Sequence, residues 1–312
     1  FIVPEVVVGH RGERWWVTTA AAGPSPRPAL GAGAPPRSPR EVAFADGALP
    51  SAEWEARVAE AVARIGRGDL DKVVLARDLL VQAREPVDPR WVLRSLAGRY
   101  DNTWVFAVDG LLGATPELLV RRERGLVTSR VLAGTIRRSG DDAHDLGLAA
   151  SLARSSKDLE EHEYAVRSVA EALAPHCSSM NVPESPFVLH LPNVMHLATD
   201  VTGVAANGAS SLSLAAALHP TAAVGGTPTA AACELIAELE GMDRGRYAGP
   251  VGWMDASGDG HWGIALRSGC YLAPDTLRIF AGCGIVAGSE PEDELAESDA
   301  KFLPMRDALS GR

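Results

Sequence analysis

Residues 276–302 read TLRIFAGCGIVAGSEPEDELAESDAKF, and the fold turns on how the central glycines are read. A strand, TLRIFA, runs into GCGIVAG, which loosely matches the turn of a dinucleotide-binding βαβ unit. The spacing departs from that fingerprint, because Gly288 comes one residue late. Ile285 and Val286 also continue a strand where a helix would have to begin. The segment is therefore expected to be a strand whose small residues let a ligand approach the backbone, not the opening of a doubly wound sheet.

Six carboxylates follow between Glu290 and Asp299. Ser289 is a candidate N-cap, with Pro291 in the first turn and Glu292 at the capping-box position. On that helix Glu294, Glu297 and Lys301 share one face. Leu295, Ser298 and Phe302 form the adjacent stripe, so the acidic face borders the packed side. As a solvated face it would amount to one Glu297–Lys301 pair, about 0.3–0.5 kcal/mol. A second segment, SSKDLEEHEYAVRSVAEAL at 155–173, bears on this. Its apolar stripe is Leu159, Val166, Val169 and Leu173, and Asp158 and Glu161 lie three apart beside it. Two such helices could meet around a hard cation such as Mg²⁺, which takes oxygen ligands. His162 falls on the apolar side and no HExxH motif is present, so it is read as a packed histidine.

The chain has 312 residues, 46% hydrophobic and 22% charged, with a formal net charge of −10. That balance argues against nucleic acid or an anionic membrane as partner. Cys177, Cys233, Cys270 and Cys283 form no CxxC pair, which disfavours zinc and disulfides and fits a reducing cytoplasm. No run of about 18 apolar residues suggests a membrane span. The segment at 3–21 reads as two strands around a turn at Gly9–Gly12. Six prolines between Pro24 and Pro39 predict a flexible loop over 20–47. Trp54, Val58, Val62 and Ile65 then recur at helical spacing, and KVVLARDLLVQ reads as a strand. Further strands are expected in NTWVFAVDG, ELLVRRE, GLVTSRVLAGT, FVLHL, MHLATDVTGV, WGIALRSGCYL and TLRIFAGCGIV. Helices are expected near 156–174, 211–218 and 229–240 and after Ser289. Strands in clusters favour an α+β fold with large antiparallel sheets, taken as a single domain over 1–312.

Nine segments in order then resemble the chorismate-utilising enzymes: DKVVLAR (71–77), ATPELLV (114–120), LAGTIRR (132–138), KDLEEH (157–162), NVMHLATDV (193–201), HPTAAVGGTP (219–228), RGRYAGPVGW (244–253), WGIALRSG (262–269) and AGCGIV with its acidic helix (281–301). The resemblance covers nearly everything from residue 50 onward. It implies a two-lobed chorismate-binding fold with antiparallel sheets at the centre and helices outside. It also implies a longer N-terminal lead than this chain shows, so a truncated start is expected.

Carried over residue by residue, the resemblance assigns Glu161 and Glu297 to Mg²⁺, with Asp158 and Glu294 supporting the ion. Arg267 and Tyr247 look like the clamp on the enolpyruvyl carboxylate of chorismate, a role suited to a planar guanidinium. Gly282, Cys283, Gly284 and Lys301 complete an anion site, and Gly134, Thr135 and His196 line the pocket. Lys72 matches the lysine that activates water in relatives of this kind, and Glu117 the acid that protonates the departing C4 hydroxyl. Such a base must be neutral and such an acid protonated near neutral pH, states that burial favours. Where aminodeoxychorismate synthases carry a nucleophilic lysine this chain has Ala133, so water is the expected nucleophile and no glutaminase subunit is expected. The implied activity is an isochorismate synthase, an isomerase (hydroxymutase) that is cytoplasmic and monomeric. Salicylate synthase is the alternative, disfavoured by Ala223 where those enzymes tend to have threonine. The product could feed menaquinone, a catechol siderophore or salicylate. Thr115, Cys283 and Ser298 depart from the usual serine, alanine and threonine of the pattern.

Overall fold

The computed structural model describes residues 1–20, 31 and 33–311. The chain divides into two compact units, residues 1–36 and 37–312. In the first, β1 (Val6–Arg11) and β2 (Arg14–Thr19) form an antiparallel hairpin, with Arg11 opposite Arg14 and Gly12 at φ +59° in the two-residue turn. Of the expected 20–47 loop, residues 21–30 and 32 lie outside the described residues, while Ala43–Asp46 form strand β3.

The second unit is built from two seven-stranded antiparallel sheets with helices packed against them. One contains β3, β4 (Lys72–Gln82), β5 (Trp104–Val108), β6 (Leu111–Thr115), β12 (Gly226–Thr227), β15 (Ser268–Ala273) and β16 (Thr276–Ile285). Its order is β12-β4-β16-β15-β6-β5, with β3 also on β4. The other contains β7 (Leu118–Glu123), β8 (Leu126–Arg137), β9 (Cys177–Asn181), β10 (Phe187–His190), β11 (Val194–Ala205), β13 (Pro250–Met254) and β14 (Gly260–Ile264). Its order is β10-β11-β8-β7-β14-β13, with β9 also on β11. This is the expected α+β architecture.

The helices are α1 (Ser51–Gly66), α2 (Pro89–Arg99), α3 (Asp142–Leu152), α4 (Ser156–Leu173), α5 (Ser211–Leu218), α6 (Thr229–Leu239) and α7 (Pro291–Ser310). Three apolar clusters fix their places. Ala165, Val169 and Leu173 of α4 pack with Val127, Val131 and Val201, and Leu214 and Leu218 of α5 join them. Phe302, Met305 and Leu309 of α7 pack with Leu96 of α2 and Ile279 of β16. Trp54 and Val58 of α1 meet Leu235 of α6 and Leu75 of β4. No helix of the described residues is long and apolar enough to cross a membrane.

Two of the chain's crossings between the sheets are short and lie side by side. Pro116–Glu117 join β6 to β7, and Ala265–Arg267 join β14 to β15. The sequence WGIALRSGCYL, expected to be one strand, is broken there, with Arg267 at φ +47°. The crossovers are tied together: the Ala114 N–H donates to the Arg267 carbonyl at 3.2 Å and the Ile264 N–H to the Glu117 carbonyl at 3.2 Å. Glu117 and Arg267 therefore emerge side by side at the seam.

The expected cap of the last helix is corrected. Glu290, not Ser289, is the N-cap residue, and it makes no side-chain capping bond. Ser289 Oγ accepts from the Val286 N–H at 3.2 Å and bonds to the Glu294 carboxylate instead. The helix is secured on the sheet by Arg77 of β4, which is 5% exposed. Its guanidinium donates to Ser298 Oγ at 2.9 Å and Asp299 Oδ1 at 3.2 Å, and lies 5.3 Å from the Phe302 ring. Arg77→Met is expected to lower stability by about 2 kcal/mol, read as a reduced urea midpoint with an unchanged slope.

Candidate active site

A cavity opens at the sheet seam, and its lining gathers Glu117, Gly134, Thr135, Glu161, His196, Tyr247, Arg267, Gly282, Gly284 and Lys301. Each of these was anticipated from the sequence. They arrive from β8, β11, α4, the two crossovers, the Tyr247 turn, β16 and α7, elements far apart in the chain. Lys72, Cys283, Asp158, Glu294 and Glu297 stand behind or beside this lining, and their partners place them.

The glycines shape the lining. The ladder between β8 and β11 pairs His196 with Thr135 but Leu197 with Ala133, so Gly134 is an extra residue in a bulge, at φ +78°. Its N–H leaves the ladder and donates to Glu161 Oε2 at 3.1 Å. Gly284 is required by a different contact, since a Cβ there would lie 2.0 Å from Glu161 Oε1 and 3.0 Å from Lys72 Cε. Gly284→Ala would push the Glu161 carboxylate off both partners. A misplacement of that size is expected to cost about 100-fold in kcat/KM, measurable by steady-state kinetics on a chain that still melts cooperatively.

Lys72 opens β4 and has no exposed surface. Its Nζ lies 3.3 Å from Glu161 Oε1 and donates to the Glu161 carbonyl at 3.4 Å. Glu117, 4% exposed, has its carboxyl pushed up to about 8 by burial, against the pull of Lys72, Arg267 and Lys301. It is thus protonated at neutral pH.

Arg267, Tyr247 and Lys301 supply the cationic and donor side of the cavity. Tyr247 stacks on Phe280 with ring centroids 4.9 Å apart, and burial pushes its hydroxyl up to about 12. Lys301 pairs with Glu297 and donates to the Gly282 carbonyl at 2.9 Å. The Glu297–Lys301 pair therefore exists, but it is largely enclosed, with the two side chains 21% and 11% exposed.

His196 is 4% exposed, and burial together with Arg267 and Lys301 holds its imidazole well below the ordinary range. Arg267 Nη2, which can only donate, lies 3.0 Å from His196 Nε2. The proton of the neutral ring must therefore sit on Nδ1, which faces Thr135 Oγ1 at 3.1 Å. The Thr135 hydroxyl is then free to donate, and it helps hold the Glu297 carboxyl down. His162 is packed, as expected: Nδ1 lies 3.2 Å from the Ala133 carbonyl and Nε2 2.7 Å from Thr199 Oγ1.

The two acidic faces converge. Lys157 and Asp158 of α4 lie in the electrostatic field of both Glu161 and Glu297. Burial, with Glu161 and Glu297 adding to it, pushes the Asp158 carboxyl up. Glu294, 2% exposed, is pushed up by burial and by Glu297 despite Lys157. For Glu297 burial is outweighed by Lys301, and its carboxyl is held down. Ligand atoms of Glu294, Glu297 and Cys283 lie within 4.8 Å of one another. The Cys283 thiol is pushed well up by burial and donates to the Glu294 carbonyl at 3.3 Å, so it is a protonated packing group. What remains is a crowded set of carboxylate oxygens, a donor set that fits a hard divalent ion such as Mg²⁺.

Two charged residues here were not anticipated. Lys157 reaches Glu294, and Arg244 lines the cavity while its guanidinium pairs with Glu240 and donates to the Val74 and Val224 carbonyls at 2.7 and 2.8 Å. Arg244 is i+4 to Glu240, a spacing visible in the sequence, but only the fold shows that the pair is buried.

The chorismate binding enzyme family matches residues 32–310, and the chain belongs to that family. Among curated proteins it is 43% identical over 270 residues to isochorismate synthase DhbC of Bacillus subtilis, covering 82% of this chain and 67% of that protein. It is 42% identical over 264 residues to the salicylate biosynthesis isochorismate synthase of Pseudomonas aeruginosa, covering 83% of this chain and 55% of that one. The chain thus spans between about half and two thirds of the length of these relatives. The solved structure of DhbC from Bacillus anthracis superposes with a TM-score of 0.83 at 37% identity, covering 96% of this chain and 79% of that one. The family expected from the nine sequence segments is the family found.

Proposed function

We propose that this chain is an isochorismate synthase, isomerising chorismate by adding water at C2 of the ring with loss of the C4 hydroxyl. One water enters and one leaves, so the net reaction is an isomerisation. The observation that carries the reading is that Glu117, whose carboxyl burial holds protonated, and the Arg267 guanidinium line one cavity at the seam, with the buried Lys72 amine behind it.

In this reading Lys72 takes a proton from the incoming water, and Glu117 gives its proton to the departing C4 oxygen as the ring double bonds shift. Arg267 and Tyr247 hold the enolpyruvyl carboxylate, with His196 orienting the guanidinium through Nε2. The Gly282 and Gly284 backbone and Lys301 lie beside the second carboxylate. Glu161 and Glu297, with Asp158 and Glu294, would hold Mg²⁺, which supplies charge neutralisation for the ring carboxylate. Ala223, which lines the cavity, offers no hydroxyl, which favours isomerisation without pyruvate elimination over salicylate formation. A monomer working without a glutaminase partner in the cytoplasm completes the reading.

Incubation with chorismate, with and without Mg²⁺, followed by chromatography of the products tests it. Isochorismate formed only with Mg²⁺ is the expected result. Salicylate plus pyruvate would support the alternative, an amine product formed with ammonium would point to a different nucleophile, and absence of any product would overturn the assignment.

A further inference from the structure

Three lysines meet the carboxylates proposed to hold the ion, and two of them have other work. Lys72 stands against Glu161 with no exposed surface, and Lys301 is tethered between Glu297 and the Gly282 carbonyl. The third, Lys157, places Nζ 2.5 Å from Glu294 Oε1, and its ammonium also feels Glu297 and Glu161. It sits one residue before Asp158 at the start of α4, and its side chain is 31% exposed, so it has a path to solvent.

We infer that Lys157 is an exchangeable counter-ion of the cation site. Its ammonium neutralises the carboxylate cage while no divalent ion is bound and moves into solvent when one enters. The inference rests on the magnesium reading above. Glu294 is 2% exposed, and a buried carboxylate left without a cation is strongly unfavourable. While Oε1 carries the ammonium, a divalent ion at that carboxylate would lie against a like charge. A lysine suits the task because its flexible stem presents a compact, strongly hydrated charge that returns readily to water, whereas an arginine fork would be held more firmly. Metal uptake is thereby an exchange of cations. The apparent affinity is reduced by the fraction of molecules in which Lys157 occupies the site.

The test is Mg²⁺ titration calorimetry, with thermal melting in the presence and absence of Mg²⁺, on the full chain and on Lys157→Met and Lys157→Arg. The methionine variant is expected to bind Mg²⁺ about tenfold more tightly, because nothing has to be displaced. Without metal it should melt at a lower temperature than the wild type, and Mg²⁺ should restore the difference. The arginine variant keeps the charge and should bind Mg²⁺ no more tightly than the wild type. A Lys157→Met chain that melts cooperatively yet binds Mg²⁺ no more tightly than the wild type overturns the exchange role and leaves the magnesium reading standing. A wild-type chain that takes up no Mg²⁺ overturns both, so the two failures are distinguishable.

Discussion

Glu117→Gln is expected to lower kcat by about 10²–10⁴-fold while leaving the chain folded. Burial holds the Glu117 carboxyl protonated up to about pH 8, so the neutral amide matches it in shape and charge but has no proton to give. In the wild type, the acid form is present below about pH 8, and kcat/KM should fall about tenfold per unit above it. The variant's residual rate should lack that alkaline limb. Stability follows with its own sign. The folded value of about 8 lies above the ordinary 4.5, so stability contributed by the protonated carboxyl is fully present below pH 4.5 and lost as pH rises through 8. At pH 8 the glutamine variant should therefore melt no lower than the wild type. A variant with near-normal turnover would remove Glu117 from proton transfer.

Lys72→Met should be comparably damaging, by at least about 10²–10⁴-fold in kcat, because it deletes the amine proposed to activate water. Methionine follows the course of the lysine stem past Gly284, and Glu161 keeps its bond from the Gly134 N–H. Cooperative melting, at a midpoint lowered because Glu161 loses its ammonium partner, is therefore expected alongside lost turnover. Near-normal activity in this variant would exclude the lysine as the base.

The parts of the fold that were legible in the sequence are those where one short pattern dominates. KVVLARDLLVQ is strand β4 from end to end, and the helix near 211–218 appears with those bounds. The helices α2 and α3 escaped notice although Asp88–Pro89 and Asp141 are capping signals whose side chains accept from the Arg90 and His144 N–H groups. The second of these helices carries little apolar periodicity. The break at Ala265–Arg267 could not be read at all, because a left-handed arginine is imposed by the crossover between sheets and by the bond to His196. Ser289 misled for a similar reason, since its hydroxyl serves the preceding turn and Glu294 rather than the helix start.

The site residues were named through resemblance, and the fold supplies what resemblance lacks: partners, burial and proton positions. Spacing put Glu294 and Glu297 on one helical face and Asp158 and Glu161 on another. That the faces converge with Lys157 among them depends on the packing of α4 and α7 around the sheets. The direction of the His196 hydrogen bonds likewise follows from the neighbouring guanidinium and not from the sequence around the histidine.

Turnover of chorismate in water enriched in heavy oxygen tests the central claim most directly. If Lys72 and Glu117 add one water at C2 and release another from C4, mass spectrometry should find isochorismate carrying a single heavy oxygen at C2. Isochorismate formed without label would mean that the hydroxyl migrates within the ring, and it would contradict the account.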